Sequence, residues 1–163
     1  LTAGKPAQAI EDRIAQVTQE AYDNGDYIFV AMDRHDEGDT FHPETKLFPP
    51  HNIAGTSGRE LYGKLAGVYD AIKDDNRVFW MDKRHYSAFS GTDLDIRLRE
   101  RRVTTVVLTG VLTDICVLHT AIDAYNLGYD IEVVASATAS LTPEAHDFAI
   151  GHFKNVLGAT IVE

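Results

Sequence analysis

Two hydrophobic rhythms alternate along this chain. Residues 5–22 place apolar side chains at helical spacing, and Asn24-Gly25 closes the segment. The run "YIFVAM" (27–32) is almost wholly apolar, which predicts a strand buried on both faces. Residues 33–58 then gather His, Asp, Pro and Gly, the composition of a functional loop rather than a linker. Helical patterns recur over 59–70 and 93–101, the latter with Asp93 as its cap, and "RVFWMD" (77–82) reads as a strand between them. The run "TTVVLTG" (104–110) predicts a second strand buried on both faces. It is followed by a helix over 114–127 stopped by Gly128, and by a strand over 130–135. Thr142 caps a last helix with Pro143 at its first position and Glu144 in its first turn. Gly158 ends that helix and "ATIVE" closes as a strand. Five strands alternating with five helices predict an α/β fold whose parallel sheet is covered on both faces. Ligands on such sheets bind beyond the carboxyl ends of the strands.

That rule puts three stretches on one edge: Asp33-Arg34-His35, Lys83, and the loop leading to Cys116. Cys116 is the only cysteine and falls in the first turn of the helix that Asp114 would cap. Unpaired amides and the positive helix end stabilise a thiolate there, and the same amides suit an oxyanion. A small buried hydrophobe is the plainer alternative. Lys83 ends an apolar strand, and a lysine beside a thiol favours its charged form, keeping it partly ionised near neutral pH. Otherwise it is a solvated strand end. Tyr86 and Phe89 either wall an apolar pocket or belong to the core.

The metal candidates are Asp33, His35, Glu44 and His51. Residues i and i+2 at a strand end point the same way, so Asp33 and His35 can share an ion, and the loop must return His51 to them. His42 is a rival ligand, and surface loop histidines are the alternative to any metal. Two imidazoles with carboxylates suit Zn²⁺, Mn²⁺ or Fe²⁺. His119, three residues after Cys116, offers a Cys–His pairing, against a packing role. His146 and His152 fall on the last helix as exposed residues.

Charge and composition narrow the setting. Fifteen Lys and Arg against 25 Asp and Glu give a formal net charge of −10, which disfavours nucleic-acid and anionic-membrane surfaces. One Cys excludes an internal disulfide and suits a reducing cytoplasm. No apolar run approaches the roughly 20 residues that span a bilayer, and no signal-peptide pattern is present. These features predict a soluble, cytoplasmic chain of one domain, residues 1–163.

The stretches "DRH", "LFPPHNIAGTSG", "MDKRHYSAFSGTDL" and "GVLTDICV" resemble the isochorismatase-like cysteine hydrolases, and among them the bacterial nicotinamidase/pyrazinamidase enzymes. The resemblance implies a three-layer α/β/α fold with a parallel six-stranded sheet in the order 3-2-1-4-5-6. It implies a thiol that attacks an amide carbonyl, ammonia that leaves, and a thioester that water hydrolyses. Cys116 becomes the nucleophile, Lys83 its support, and the backbone N–H groups of Leu112 and Cys116 the oxyanion hole, beside a cis peptide between Val111 and Leu112. Asp33, His35 and His51, with Glu44 as a fourth ligand, would hold one divalent metal, Zn²⁺ first and Mn²⁺ or Fe²⁺ as alternatives. Phe48 and Tyr86 would sandwich the substrate ring.

One element of that pattern is missing. The family's catalytic Asp lies at the end of a first strand, and no residue among 1–163 matches it. Asp82 points to the other face of its strand, and Asp114 reads as a cap. The expectation is therefore an N-terminally incomplete chain, with an apolar strand ending in Asp set between "YIFVAM" and "TTVVLTG". The function implied is conversion of nicotinamide, and also pyrazinamide, to the acid and ammonia in NAD salvage. Its partner is a small molecule, and the resemblance is compatible with a homo-oligomer. The alternatives are another hydrolase of the family, such as an isochorismatase, which needs no nucleophilic Cys, or a non-catalytic domain if the protein begins at Leu1.

Overall fold

Each of the five expected strands forms, and all of them pair in parallel in this computed structural model, which describes residues 3–163. Strands β1 (Ile28–Asp33) and β2 (Val78–Lys83) make one sheet. Strands β3 (Thr105–Val111), β4 (Asp130–Ala139) and β5 (Thr160–Val162) make a second, in that order. β1 and β3 are not hydrogen-bonded to each other, so each leaves one edge without a strand partner among the described residues. The expectation that both are buried on two faces is accordingly not met. Ala31 on β1 is exposed, and Val107 on β3 is 53% exposed. β4 is the strand enclosed on both faces, with Ile131 and Val133 buried on one and Val134 on the other. A single sheet of six strands is not what these residues form.

Ile131 and Val133 join a core cluster with Val117, Leu118, Ala121 and Ala124 near Cys116 and with Ala149 and Phe153 on the last helix. Burial of these side chains fixes α5 (Leu118–Leu127) and α6 (Pro143–Asn155) against β4. The end signals there are as read: Gly128 takes a left-handed φ of 81°, and the Thr142 hydroxyl accepts from the Ala145 amide at 3.2 Å. α6 stops at Asn155, before Gly158.

The first helix is two helices, α1 (Gly4–Ala9) and α2 (Glu11–Asp23), because Ile10 turns out of helical geometry at ψ 4°. α3 runs Gly63–Ile72 rather than from Arg59. Arg59 is drawn away to bond the Asp33 carbonyl at 2.9 Å and the Asp82 carboxylate. α4 is Leu94–Glu100, and Asp93 at its start bonds Arg97 at 2.7 Å rather than a backbone amide. None of the described helices is long and apolar enough to cross a membrane.

The start of α3 has no side-chain cap of its own. Glu11 of α2 supplies one, accepting the Lys64 amide at 2.8 Å. Gly63 beside it has φ +56°, and a Cβ there would lie 2.1 Å from the Glu11 carboxylate. Gly63→Ala is expected to destabilise the fold by about 1–3 kcal/mol, from backbone strain and a displaced cap. Urea unfolding checks this, and an unchanged midpoint would show that the α2–α3 junction tolerates a side chain.

Candidate active site

The register of the first sheet makes Asp33 and Lys83 direct neighbours, both at strand carboxyl ends. Lys83 is only 5% exposed, so its ammonium needs partners. It has three: the Asp33 carboxylate, the His85 carbonyl at 2.9 Å, and Cys116 Sγ at 3.7 Å. Asp82, one residue earlier, faces the opposite way as expected and bonds Arg59, Arg34 and the Trp80 indole.

Cys116 is delivered by the second sheet. β3 ends at Val111, the Val111–Leu112 peptide is cis, and Leu112 is extended. A wide turn over Thr113–Val117 follows, in which the amides of Ile115 and Val117 both donate to the Leu112 carbonyl, before α5 begins. Leu112, not Asp114, is the capping position. The Asp114 Oδ1 is buried without a partner, so its side chain caps nothing. The reason is the wide turn, which starts helical bonding two residues earlier than a regular helix capped at Asp114.

Burial pushes the Cys116 thiol up from its ordinary value near 9 to about 11. The Lys83 ammonium acts against this, while the charges of Asp33 and Glu44 add to it. The expectation of a thiol partly ionised near neutral pH is therefore corrected: removal of water from around the sulfur outweighs the neighbouring cation. At rest Cys116 is a neutral thiol held against the Lys83 side chain.

Beside it lies a group of imidazoles and carboxylates. His35 Nδ1 bonds the His51 carbonyl at 2.9 Å, and His51 Nδ1 bonds the Pro49 carbonyl at 2.9 Å. A carbonyl only accepts, so each Nδ1 carries a proton, and in the neutral ring each Nε2 bears the free lone pair. Those Nε2 atoms lie 3.7 and 3.5 Å from the two oxygens of Glu44, whose residue is 6% exposed. His35 Nε2 is buried with no hydrogen-bond partner. A buried orphan lone pair facing a carboxylate is the donor set a divalent cation completes, and the bonded Nδ1–H groups orient the rings for it.

His42 also lies within 4.8 Å of His35 and Glu44. Both of its nitrogens are used, Nδ1 by the Glu44 amide at 3.3 Å and Nε2 by the Arg84 carbonyl, which leaves it no lone pair for an ion. Asp33 is held by Lys83 at its Oδ1 and stands outside the tight His35–His42–Glu44 group. The loop returns His51 because His35 pairs like a strand residue with the chain at Ile53. The His35 amide donates to the Asn52 carbonyl at 3.1 Å, and the Ala54 amide to the His35 carbonyl at 2.8 Å.

The ring-wall candidates border both groups. Phe48 meets His51 edge-on with centroids 6.1 Å apart, and Tyr86 meets His119 at 5.1 Å. The charges of Glu44 and Asp33, and that of Cys116 once it ionises, reach the Tyr86 phenol and, behind burial, raise its pKa. One site therefore collects them. His119 forms no pair with Cys116; its Nδ1 donates to the Ile115 carbonyl at 2.7 Å. His146 and His152 are half-buried rather than exposed, and His146 Nδ1 lies 2.9 Å from the hydroxyl of the fully buried Thr113. The hydroxyls of Thr113 and Thr120 escaped sequence reading. For Thr120 the signal was present: it stands four residues after Cys116, the spacing at which a hydroxyl bonds a helix carbonyl.

Comparison with known proteins agrees with this geometry. The profile of the isochorismatase domain matches residues 2–162. An isochorismatase family protein of Bacillus subtilis is 53% identical over the whole of this chain, which spans 89% of that relative. The crystal structure of a pyrazinamidase/nicotinamidase from Streptococcus mutans is 80% identical over 99% of this chain and 90% of its own, with a TM-score of 0.97. The pyrazinamidase of Pyrococcus horikoshii, solved in complex with zinc, is 25% identical over 96% of this chain and 86% of its own, with a TM-score of 0.83. A lysine-backed thiol at the start of a helix, a histidine–carboxylate cluster beside it and a match along nearly the whole length agree: the chain belongs to the isochorismatase domain family.

Proposed function

We propose that this chain is a cysteine amidohydrolase that converts nicotinamide, and also pyrazinamide, to the corresponding acid and ammonia, as a step of NAD salvage in the cytoplasm. The observation that carries the reading is the contact of the buried Lys83 ammonium with Cys116 Sγ, 3.7 Å apart, beside the His35–Glu44–His51 cluster. The name of the Streptococcus mutans structure, pyrazinamidase/nicotinamidase, supports it. An isochorismatase needs no such thiol, so the pairing favours amide hydrolysis over that reaction.

In this reading Cys116 Sγ bonds to the amide carbonyl carbon as its proton leaves. The Lys83 ammonium stabilises negative charge on sulfur during that transfer. The backbone N–H groups of Leu112 and Cys116 receive the carbonyl oxygen. The C–N bond breaks, the proton departs with ammonia, and water hydrolyses the thioester to restore the thiol. Phe48 and Tyr86 hold the ring between them. Asp33, His35, Glu44 and His51 would hold one divalent cation, Zn²⁺ with Mn²⁺ or Fe²⁺ as alternatives, which when bound supplies a Lewis acid for the ring nitrogen.

The same reading treats residues 1–163 as one hydrolase domain. It sets a further parallel strand between β1 and β3, giving the order 3-2-1-4-5-6 in three layers and bringing the family's Asp to this edge as the proton carrier. The unpaired edges of β1 and β3 support that order.

Purified protein is expected to release ammonia from nicotinamide and to carry about one equivalent of metal by elemental analysis. Chelation should remove both and zinc should restore both. Absence of ammonia release from nicotinamide and pyrazinamide by the zinc-loaded protein would overturn the reading.

A further inference from the structure

We infer that Thr120 is a positioning residue that sets the distance between the nucleophile and the wall carrying Tyr86. The inference rests on the amidohydrolase reading for its kinetic consequence and on hydrogen bonds alone for its geometry. Thr120 lies on α5, 7% exposed, and its hydroxyl makes two bonds of fixed direction. The Ala88 amide donates to Oγ at 3.0 Å, so that hydroxyl is the acceptor there. Its own proton goes to the Cys116 carbonyl at 2.7 Å. One oxygen thus joins the backbone of the nucleophile to the backbone of the wall segment.

Lys83 makes the matching connection five residues earlier. Its ammonium bonds the His85 carbonyl at 2.9 Å and touches Cys116 Sγ at 3.7 Å. The stretch from Lys83 to Ala88 is therefore tied to Cys116 at both ends, once through the thiol and once through the main chain. Tyr86 stands between the two ties, with its ring against His119 of α5 at 5.1 Å. At its far end, bonds from the residues that follow brace it: Phe89 N–H to Ser87 Oγ at 3.2 Å, and Thr92 Oγ to the Ala88 carbonyl at 2.5 Å. A segment braced in this way moves as a unit. Loss of the Thr120 hydroxyl frees one end of it, so sulfur and ring wall lose a common reference. Attack by a nucleophile depends steeply on such alignment, whereas ring binding by Phe48 and Tyr86 depends on it much less.

The test compares Thr120→Val, which keeps the shape and deletes both bonds, with Thr120→Ser, which keeps the hydroxyl. In the metal-loaded protein Thr120→Val is expected to lower kcat for nicotinamide about tenfold or more, with KM within about threefold, and Thr120→Ser to restore most of the loss. A Thr120→Val enzyme with native kcat, or a Thr120→Ser enzyme as slow as the Val form, overturns the inference. A second readout needs no turnover: iodoacetamide alkylation of Cys116, the only cysteine. Release of the Cys116 carbonyl should speed alkylation at least about threefold in the Val form and leave the Ser form near native. If native protein shows no amidase activity, the functional reading fails and this rate comparison alone decides the positioning role, equal rates refuting it. If Thr120→Val does not fold, Thr120→Ala takes its place in both measurements with the same outcomes.

Discussion

Replacement of Cys116 by Ala is expected to reduce ammonia release from nicotinamide by about 10⁴-fold or more, since no second thiol exists to form the acyl-enzyme. The fold should survive. Cys116 is only partly buried, and the turn that carries it is held by backbone bonds from Ile115 and Val117 to the Leu112 carbonyl, in which the sulfur takes no part. Ring binding should survive too, because Phe48, Tyr86 and the histidine–carboxylate cluster are untouched. Single-turnover assays with excess enzyme, together with a binding titration of nicotinamide, separate these quantities. Turnover by Cys116→Ala within about a hundredfold of native would remove the cysteine from the chemistry.

Lys83→Met carries the second large effect. The substitution keeps length and burial but removes the charge that opposes desolvation of the thiol. The sign follows from the balance at the sulfur. Burial raises the thiol to about 11 against the pull of Lys83, so without Lys83 it rises further. Alkylation of Cys116 at a fixed alkaline pH should then slow, and its pH profile should move to higher pH. Amide turnover should fall by roughly 10²–10³-fold, the scale of losing one charge at a reacting centre. The Asp33 carboxylate also loses its cation, which adds a stability cost of about 1–3 kcal/mol. Linkage sets a check on the native protein. A folded-state value above the ordinary one near 9 means the thiol's contribution to stability is complete below that value and fades as pH climbs toward about 11. An alkylation profile unaltered by Lys83→Met would show that Lys83 does not act on the sulfur.

Strand positions were legible because apolar runs are local: β1, β2 and β3 begin and end within one residue of the runs that announced them. That Asp33, Lys83 and Cys116 gather at one edge was legible for the same reason, since strand ends place them without knowledge of packing. What escaped depended on contacts between distant segments. The displaced start of α3 follows from tertiary partners, Arg59 with Asp82 and the Lys64 amide with Glu11, that no window of sequence contains. The choice between His42 and His51 turned on which nitrogens the loop backbone engages. The ionisation of Cys116 was misjudged because charge is visible in a sequence and desolvation is not.

The neutral state of the desolvated Cys116 sulfur bears on its chemical survival. At a pKa of about 11, roughly one thiol in ten thousand is ionised at neutral pH. Peroxide and disulfides react with the thiolate, so oxidation of the resting protein is slowed, though by less than that fraction because a more basic thiolate is the stronger nucleophile. That matters for a chain with one cysteine. A sulfenic acid formed there has no second thiol in the chain to capture it as a disulfide, and further oxidation to the sulfinic acid is in general not reversed. Desolvation of the sulfur thus acts as a kinetic antioxidant for a thiol with no neighbouring cysteine in this sequence to rescue it.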